Sequence, residues 1–438
     1  MGKPEKKRYI VSMMILCSLF FIFGFVSWVN AILIPYFKIA CELTHTQAYL
    51  VAFAFYIAYF LMAIPASRLL NKFGFKKGML IGLCMMSLGT LIFVPAAYTR
   101  IYGIFLFGLF CIGTGLAILQ TAANPYVTMI GPIESAAKRI SIVGLCNKFA
   151  GIISPLIFAA VILQASDGEM FRQLKAGLIM GAEKEIVLDA LVRRVMLPYA
   201  FLSVLLLIFG ILIRYSPLPE INAKEQNSST DASHNDRSSI FQYPYLILGI
   251  FAIFFHVGAQ VISIDTIISY AGTMGIELTA AKVFPSYTMS CTLIGYIIGI
   301  SLIPRVLKQK RALQIATTMG LILSFCIIYV SGNVTILSHN TDISIWFLVL
   351  MGMPNALIYA GIWPLAIRNL GKYTNLGSSL LVMALCGNAF LPVIYGSLVD
   401  SYGARLSYWV LVPCFLYLIF YAFKGHKIEH WSKIVANE

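Results

Sequence analysis

Twelve separate apolar runs, each long enough to cross a bilayer, constrain this chain more than any motif in it: 10–35, 47–70, 79–98, 101–126, 140–164, 195–214, 244–271, 281–303, 312–331, 343–366, 376–399 and 405–423. A spanning helix needs about 20 apolar residues. With no water in hydrocarbon, backbone N–H and C=O groups must pair within the segment, so such runs fold as helices. Only 11% of the residues are charged and the mean hydropathy is +0.84, outside the range of soluble domains. The expected fold class is an all-α membrane protein with twelve transmembrane helices and the lipid bilayer as its partner.

The formal charge of +14 is distributed by side. When successive runs alternate across the bilayer, 22 basic residues fall on the side of the two termini, among them Lys3, Arg68, Lys72, Lys76, Lys77, Lys138, Arg305, Lys310, Arg368 and Lys424, and nine on the other. By the positive-inside rule both termini are expected in the cytoplasm. The charge therefore needs no nucleic-acid partner. The first run is long and lacks a clear small-residue cleavage site, so it is read as the first helix rather than a signal peptide. Nine cysteines are scattered singly without metal-ligand spacing and read as small core residues; no metal or cofactor is expected. No paired acids or Ser/His arrangement converges inside the runs, so the chain is not expected to be an enzyme.

Polar residues inside the runs mark where a cavity should be. Leu119 to Val127 carries Gln120 and Asn124, four apart on one helix face, followed by Pro125, which lacks the N–H that would bond the carbonyl of Thr121. A similar register returns at Ile358 to Ala366. There Tyr359, Trp363 and Pro364 take the places of Gln120, Asn124 and Pro125, and Gly113 and Gly352 each lie twelve residues before their proline. Two related halves follow from this reading, residues 1–215 and 243–438, joined by a cytoplasmic linker at 216–242 rich in Ser, Asn, Asp and Glu.

Lys148 is the one basic residue deep in a run, about ten residues, or about 15 Å, inside. A substrate or coupling role stands against a structural ion pair or snorkelling. Beside it, Asn147 has a counterpart in Asn388 of the Leu-Cys-Gly-Asn repeat. Asp265 is the one carboxylate well inside a run. On an unbroken helix it points about 140° from Gln260, so either it faces a neighbouring helix or the helix breaks. His256 reads as a packing histidine. Asn355, Tyr359 and Trp363, spaced by four, form a stripe of amide, phenol and indole suited to the hydroxyls and apolar C–H face of a sugar. Asn30 either bonds a ligand or links two helices. Residues 165–194, the longest segment on the far side, read as a short amphipathic loop.

The stretches Trp28 to Pro35, Gln47 to Tyr56, Leu119 to Val127, Glu134 to Lys148, Asp265 to Tyr270, Phe284 to Met289 and Asn369 to Met383 together resemble the L-fucose:proton symporter family of the major facilitator superfamily, closest to its glucose/galactose transporter branch. The resemblance covers nearly the whole chain. It implies the major facilitator fold, two six-helix bundles around a cavity lined largely by helices 1, 4, 7 and 10, and alternating access of a sugar across a bacterial inner membrane by a protein that functions as a monomer. Together with the polar residues read above, the expected substrate-binding set is Asn30, Gln120, Asn124, Asn147, Lys148, Gln260, Asn355, Tyr359, Trp363 and Asn388. Where the fucose branch has an aspartate and a glutamate, this chain has Ala31 and Gln120, and many relatives carry an acid in the place of Gln260. Asp265 and Lys148 are then left as candidates for coupling to a proton or sodium ion. Uniport, or transport of another polar solute such as an amino sugar, a nucleoside or an organic anion, stays open at this point, as does a non-transporting sugar sensor.

Overall fold

Residues 3–130, 136–164, 166–218, 239–303, 307–370 and 373–431 are described by the computed structural model. The body of the expected linker, 219–238, and Glu134 lie outside these residues, as does the side chain of Asn124. Among them, twelve helices are long and apolar enough to cross a membrane: α1 (Tyr9–Ala40), α2 (His45–Leu70), α3 (Lys72–Thr99), α4 (Tyr102–Ala123), α5 (Ile142–Ile162), α6 (Gly181–Tyr215), α7 (Pro244–Asp265), α8 (Leu278–Leu302), α9 (Gln309–Tyr329), α10 (Ser344–Ile367), α11 (Leu376–Tyr402) and α12 (Ala404–Lys427). They form two six-helix bundles, α1–α6 and α7–α12. The α4 helix continues to Met129, and the described helix containing α5 begins at Ala136.

Lipid has no preference for burying Leu over leaving it exposed, so helix association depends on close approach and hydrogen bonding. On α6, Leu197, Phe201, Val204, Ile208 and Leu212 accordingly stay exposed to the hydrocarbon side, while Ser203 faces inward and shares its hydroxyl with Ser87 of α3 at 2.9 Å. Glycines make the tightest crossings. A Cβ on Gly113 of α4 would lie 1.9 Å from the carbonyl oxygen of Phe55 on α2, and a Cβ on Gly352 of α10 would lie 2.2 Å from that of Thr288 on α8. The two crossings are equivalent under the repeat read from the sequence, because α8 and α10 are the second and fourth helices of their half. A third glycine, Gly74, takes φ +78° where α2 turns into α3, a left-handed conformation that glycine adopts without a Cβ penalty.

Across the bundles α2 meets α11 through Tyr49 and Tyr395, ring centroids 5.7 Å apart, and through Phe53 and Phe390 at 5.5 Å. On the other flank α5 meets α8, where Ser286 donates to the carbonyl of Ile152 at 2.5 Å. These contacts lie toward the membrane face opposite the termini. At that face the first turn of α2 is fully capped. Thr44 and Gln47 form a reciprocal capping box, and the remaining free amides of His45 and Thr46 donate at 3.0 and 2.9 Å to the carboxylate of Asp400, from the other bundle.

Two features of that face differ from the sequence reading. The segment expected as a loop over 165–194 folds instead as two helices, Asp167–Lys175 and Gly181–Arg193. The buried carboxylate of Asp167 receives Arg194 at 2.5 Å and the amide of Gln164 at 2.8 Å, and Arg100 reaches Glu185 at 2.5 Å, so the mixed charges are paired rather than solvated. Between α9 and α10 stands an unanticipated hairpin, β1 (Asn333–Ile336) antiparallel to β2 (His339–Asp342), with Ile336 opposite His339. Its two-residue turn puts Leu337 and Ser338 at positive φ without the Asn-Gly signal that usually marks such a turn.

Candidate functional site

The helix of α1 is interrupted at Val29, between Lys3–Trp28 and Asn30–Ala40. The interruption leaves Trp28 at the end of the first segment, against Gly151 of α5, and the ammonium of Lys148 sits 4.7 Å from the centroid of the Trp28 ring. Lys148 is half-buried, and among the described residues no carboxylate lies within ion-pair distance of it. An unpaired ammonium at the membrane centre costs about 3 kcal/mol on insertion scales; the negative face of an indole offsets about 0.5–2 of that. Its neighbour Asn147 is used differently. Its amide donates to the carbonyl of Phe20 at 3.2 Å, and its own carbonyl is the closest atom to Gly24, so Asn147 ties α5 to α1.

On α4 the amide of Gln120 donates to the hydroxyl of Tyr59 on α2 at 3.0 Å. In the opposite bundle Tyr359 and Trp363 of α10 stack with centroids 5.6 Å apart and planes inclined by 30°. Both are half-buried, as are Gln120, Gln260 and Asn388. Partial exposure of amides and a phenol at mid-span makes these residues the candidates for lining a polar crevice between the halves. The imidazole of His256 on α7 lies 6.4 Å from the ring of Tyr359, fully buried, with neither ring nitrogen bonded among the described residues.

Asp265 ends α7. The helix breaks at Thr266 and resumes as Ile267–Thr273, which resolves the conflict of faces noted from the sequence in favour of a break. Thr266 marks it with a hydroxyl that bonds the carbonyl of Ile262 and the hydroxyl of Tyr408, each at 2.7 Å. The Asp265 carboxyl is fully buried and neither oxygen has a hydrogen-bond partner among the described residues. As an anion it would cost several kcal/mol there; a proton or a bound cation removes that cost. Asn30 is likewise fully buried with its amide unbonded. Asn355 donates to Ser263 at 3.3 Å, an α10–α7 link that keeps one amide oxygen unspent, and Asn388 also leaves its oxygen unbonded.

Lys148, Gln120, Tyr359 and Trp363 are therefore the half-buried candidates, Asn147 and Asn355 bond to neighbouring helices, and Asp265 and Asn30 are fully buried. Trp28 and Tyr59 are additions. Trp28 could be suspected only from its place beside Asn30 in a polar patch, and Tyr59 only from knowing which helix α4 faces.

Comparison with known proteins matches this architecture. Residues 16–386 fit the model of the Major Facilitator Superfamily. The chain is 31% identical over 426 residues to a glucose/galactose transporter of Brucella abortus, covering 97% of this chain and 96% of that one. It is 30% identical to the L-fucose-proton symporter of Escherichia coli, covering 96% and 93%. The crystal structure of the E. coli fucose:proton symporter superposes with a TM-score of 0.67 at 28% identity, over 94% of this chain and 98% of that one. With twelve membrane-crossing helices among the described residues and these relatives along nearly its full length, the chain belongs to the Major Facilitator Superfamily, within its L-fucose:proton symporter family.

Proposed function

We propose that this protein is a secondary active transporter that imports a hexose across the bacterial cytoplasmic membrane by alternating access, coupled to a cation. The observation that carries the reading is the half-buried, stacked Tyr359–Trp363 pair in one bundle with the half-buried amide of Gln120, held by the buried Tyr59 hydroxyl, in the other. A pyranose presents an apolar C–H face and a ring of hydroxyls. It needs an aromatic surface for the first and fixed amides or phenols for the second. The names of the relatives, glucose/galactose transporter and L-fucose-proton symporter, support the same substrate class.

With the basic side cytoplasmic, the contacts of α2 with α11 and of α5 with α8 close the outer end, and the halves are in an inward-facing arrangement. Residues 1–215 and 243–438 are the rocking units, and a single chain contains the full site. Asp265 is the coupling residue: loading it with a proton or sodium ion makes its burial at the outer closure tolerable, so the ion favours one orientation over the other. No chemical transformation, cofactor or nucleic acid enters this scheme. Uniport is the second reading, favoured by Ala31, Gln120 and Gln260 standing where acids stand in relatives.

The test is counterflow. Proteoliposomes preloaded with unlabelled sugar and diluted into labelled glucose, galactose, mannose, N-acetylglucosamine or fucose should accumulate one or two of them transiently without any ion gradient. Failure across the panel with folded protein would refute the sugar reading.

A further inference from the structure

The crevice holds a positive charge with nothing to balance it. Lys148 is the only Lys or Arg at mid-span among the described residues, no carboxylate pairs with it, and the residue is half-buried rather than sealed. Two arrangements narrow what it is for. The ammonium rests on the face of Trp28, which itself packs against Gly151 of α5, so a rigid aromatic surface lies beside the charge. The other bundle carries the half-buried Tyr359–Trp363 stack, with the fully buried His256 beside Tyr359 and neither of its ring nitrogens bonded among the described residues.

A neutral hexose offers nothing that compensates an ammonium. Its hydroxyls would accept from Lys148 no better than from the glutamines nearby, and the charge would remain desolvated when the site closes around the substrate. A carboxylate on the sugar would change this, since one ammonium and one carboxylate form a charge-assisted pair that strengthens as water leaves. A phosphate, carrying nearly two charges, would want further donors, and the crevice provides a single base. We infer that the preferred substrate is a carboxylate-bearing sugar, its acid group on Lys148 above Trp28 and its ring against Tyr359 and Trp363. The inference rests on the sugar-transport reading and names the subclass of sugar.

The decisive experiment is counterflow with the wild-type protein on a matched panel: labelled D-glucuronate, D-galacturonate and N-acetylneuraminate against D-glucose and D-galactose. One of the acids is expected to exchange at least about a hundredfold more efficiently than its neutral counterpart, a floor set below the roughly 10⁴–10⁵-fold discrimination of sites built around a specific polar partner. Exchange of glucose or galactose with none of the acids would overturn the inference and leave the sugar porter standing. Silence of all five would overturn the inference, and silence extending to mannose, N-acetylglucosamine and fucose would overturn the sugar reading as well. Lys148→Gln should abolish exchange of the acid and Lys148→Arg should restore a measurable part, with the elution profile and thermal midpoint of each variant reporting its folding. Undiminished exchange of the acid by Lys148→Gln would equally overturn the assignment.

Discussion

The carboxylate of Asp400, near the end of α11, caps the first turn of α2 in the other bundle: it accepts from the amides of His45 and Thr46 at 3.0 and 2.9 Å and from the Thr46 hydroxyl at 2.6 Å. One side chain thus satisfies free donors of a helix it is not covalently near and fastens the two halves on the face away from the termini. Because Asp400 is exposed, water competes for each bond. Asp400→Ala is expected to cost about 1 kcal/mol, the usual value of a lost cap, and to shift the equilibrium about fivefold toward opening on that face. Distance distributions between spin labels at the ends of α2 and α11 would show the change; an unaltered distribution would refute the role.

Asp265→Asn keeps the shape of the buried side chain and removes its ability to take up a proton or bind a cation as an anion. Counterflow should persist while accumulation driven by an imposed proton or sodium gradient falls to the equilibrium level. Full concentrative uptake by the variant would refute Asp265 as the coupling residue.

Removing the indole of Trp363 takes away one face of the sugar platform. With aromatic contacts contributing about 0.5–1.5 kcal/mol each, Trp363→Ala should raise KM up to about tenfold, with Trp363→Phe recovering most of the loss. Initial-rate measurements over a range of substrate concentration separate this from a loss of turnover.

The close crossing at Gly113 leaves no room for a side chain, since the obstructing atom is the Phe55 carbonyl, backbone that cannot swing aside. Gly113→Val should cost about 1–3 kcal/mol or fail to assemble, and Gly352→Val should behave alike at the equivalent crossing. Gly144, whose Cβ would meet nothing within 4 Å, is the contrasting case; Gly144→Ala should be neutral or stabilising by about 0.5–1 kcal/mol. Thermal midpoints of the detergent-purified variants would separate the three.

Outside the bilayer, burial alone would raise the pKa of Asp342, but hydrogen bonds from Ser344 and from the amide of Gly332, together with Arg405 at 3.8 Å, outweigh it and hold the carboxyl below the ordinary carboxylate range. A depressed folded-state pKa stabilises above the unfolded value, and that contribution is lost as pH falls through the ordinary range and then through the folded value. Acidification into that window should loosen the hairpin and the start of α10. Hydrogen exchange at Asn333–Asp342 should accelerate there in the wild type, and Asp342→Asn should exchange fast at all pH values.

Hydropathy alone carried the number of helices, their alternation and the repeat, because lipid demands long uninterrupted apolar runs and the chain has little freedom to disguise them. The repeat was legible for a second reason: Gly113 and Gly352 answer the same steric demand in each half. What escaped were contacts between residues distant in sequence. Nothing near Lys148 announces that Trp28, 120 positions earlier, lies beneath it. Asp400 reads as an ordinary helix-end acid until the opposite bundle is beside it. The helices of 165–194 were hidden because their mixed charges masked the short apolar face of Leu188, Leu191 and Val192, and because the Arg194–Asp167 pairing that anchors the segment joins residues 27 apart.

Lys148 and Trp28 belong to one half of the molecule, Tyr359 and Trp363 to the other. A rigid rocking motion carries each pair along unbroken and alters only the gap between them. In the proposed cycle the substrate spans that gap, so its length fixes how nearly the halves can approach. The carrier in effect measures a sugar as an angle between two rigid bodies: one too short leaves the halves apart and one too long wedges them, and in both cases the turnover that completes transport is withheld from a molecule that still binds.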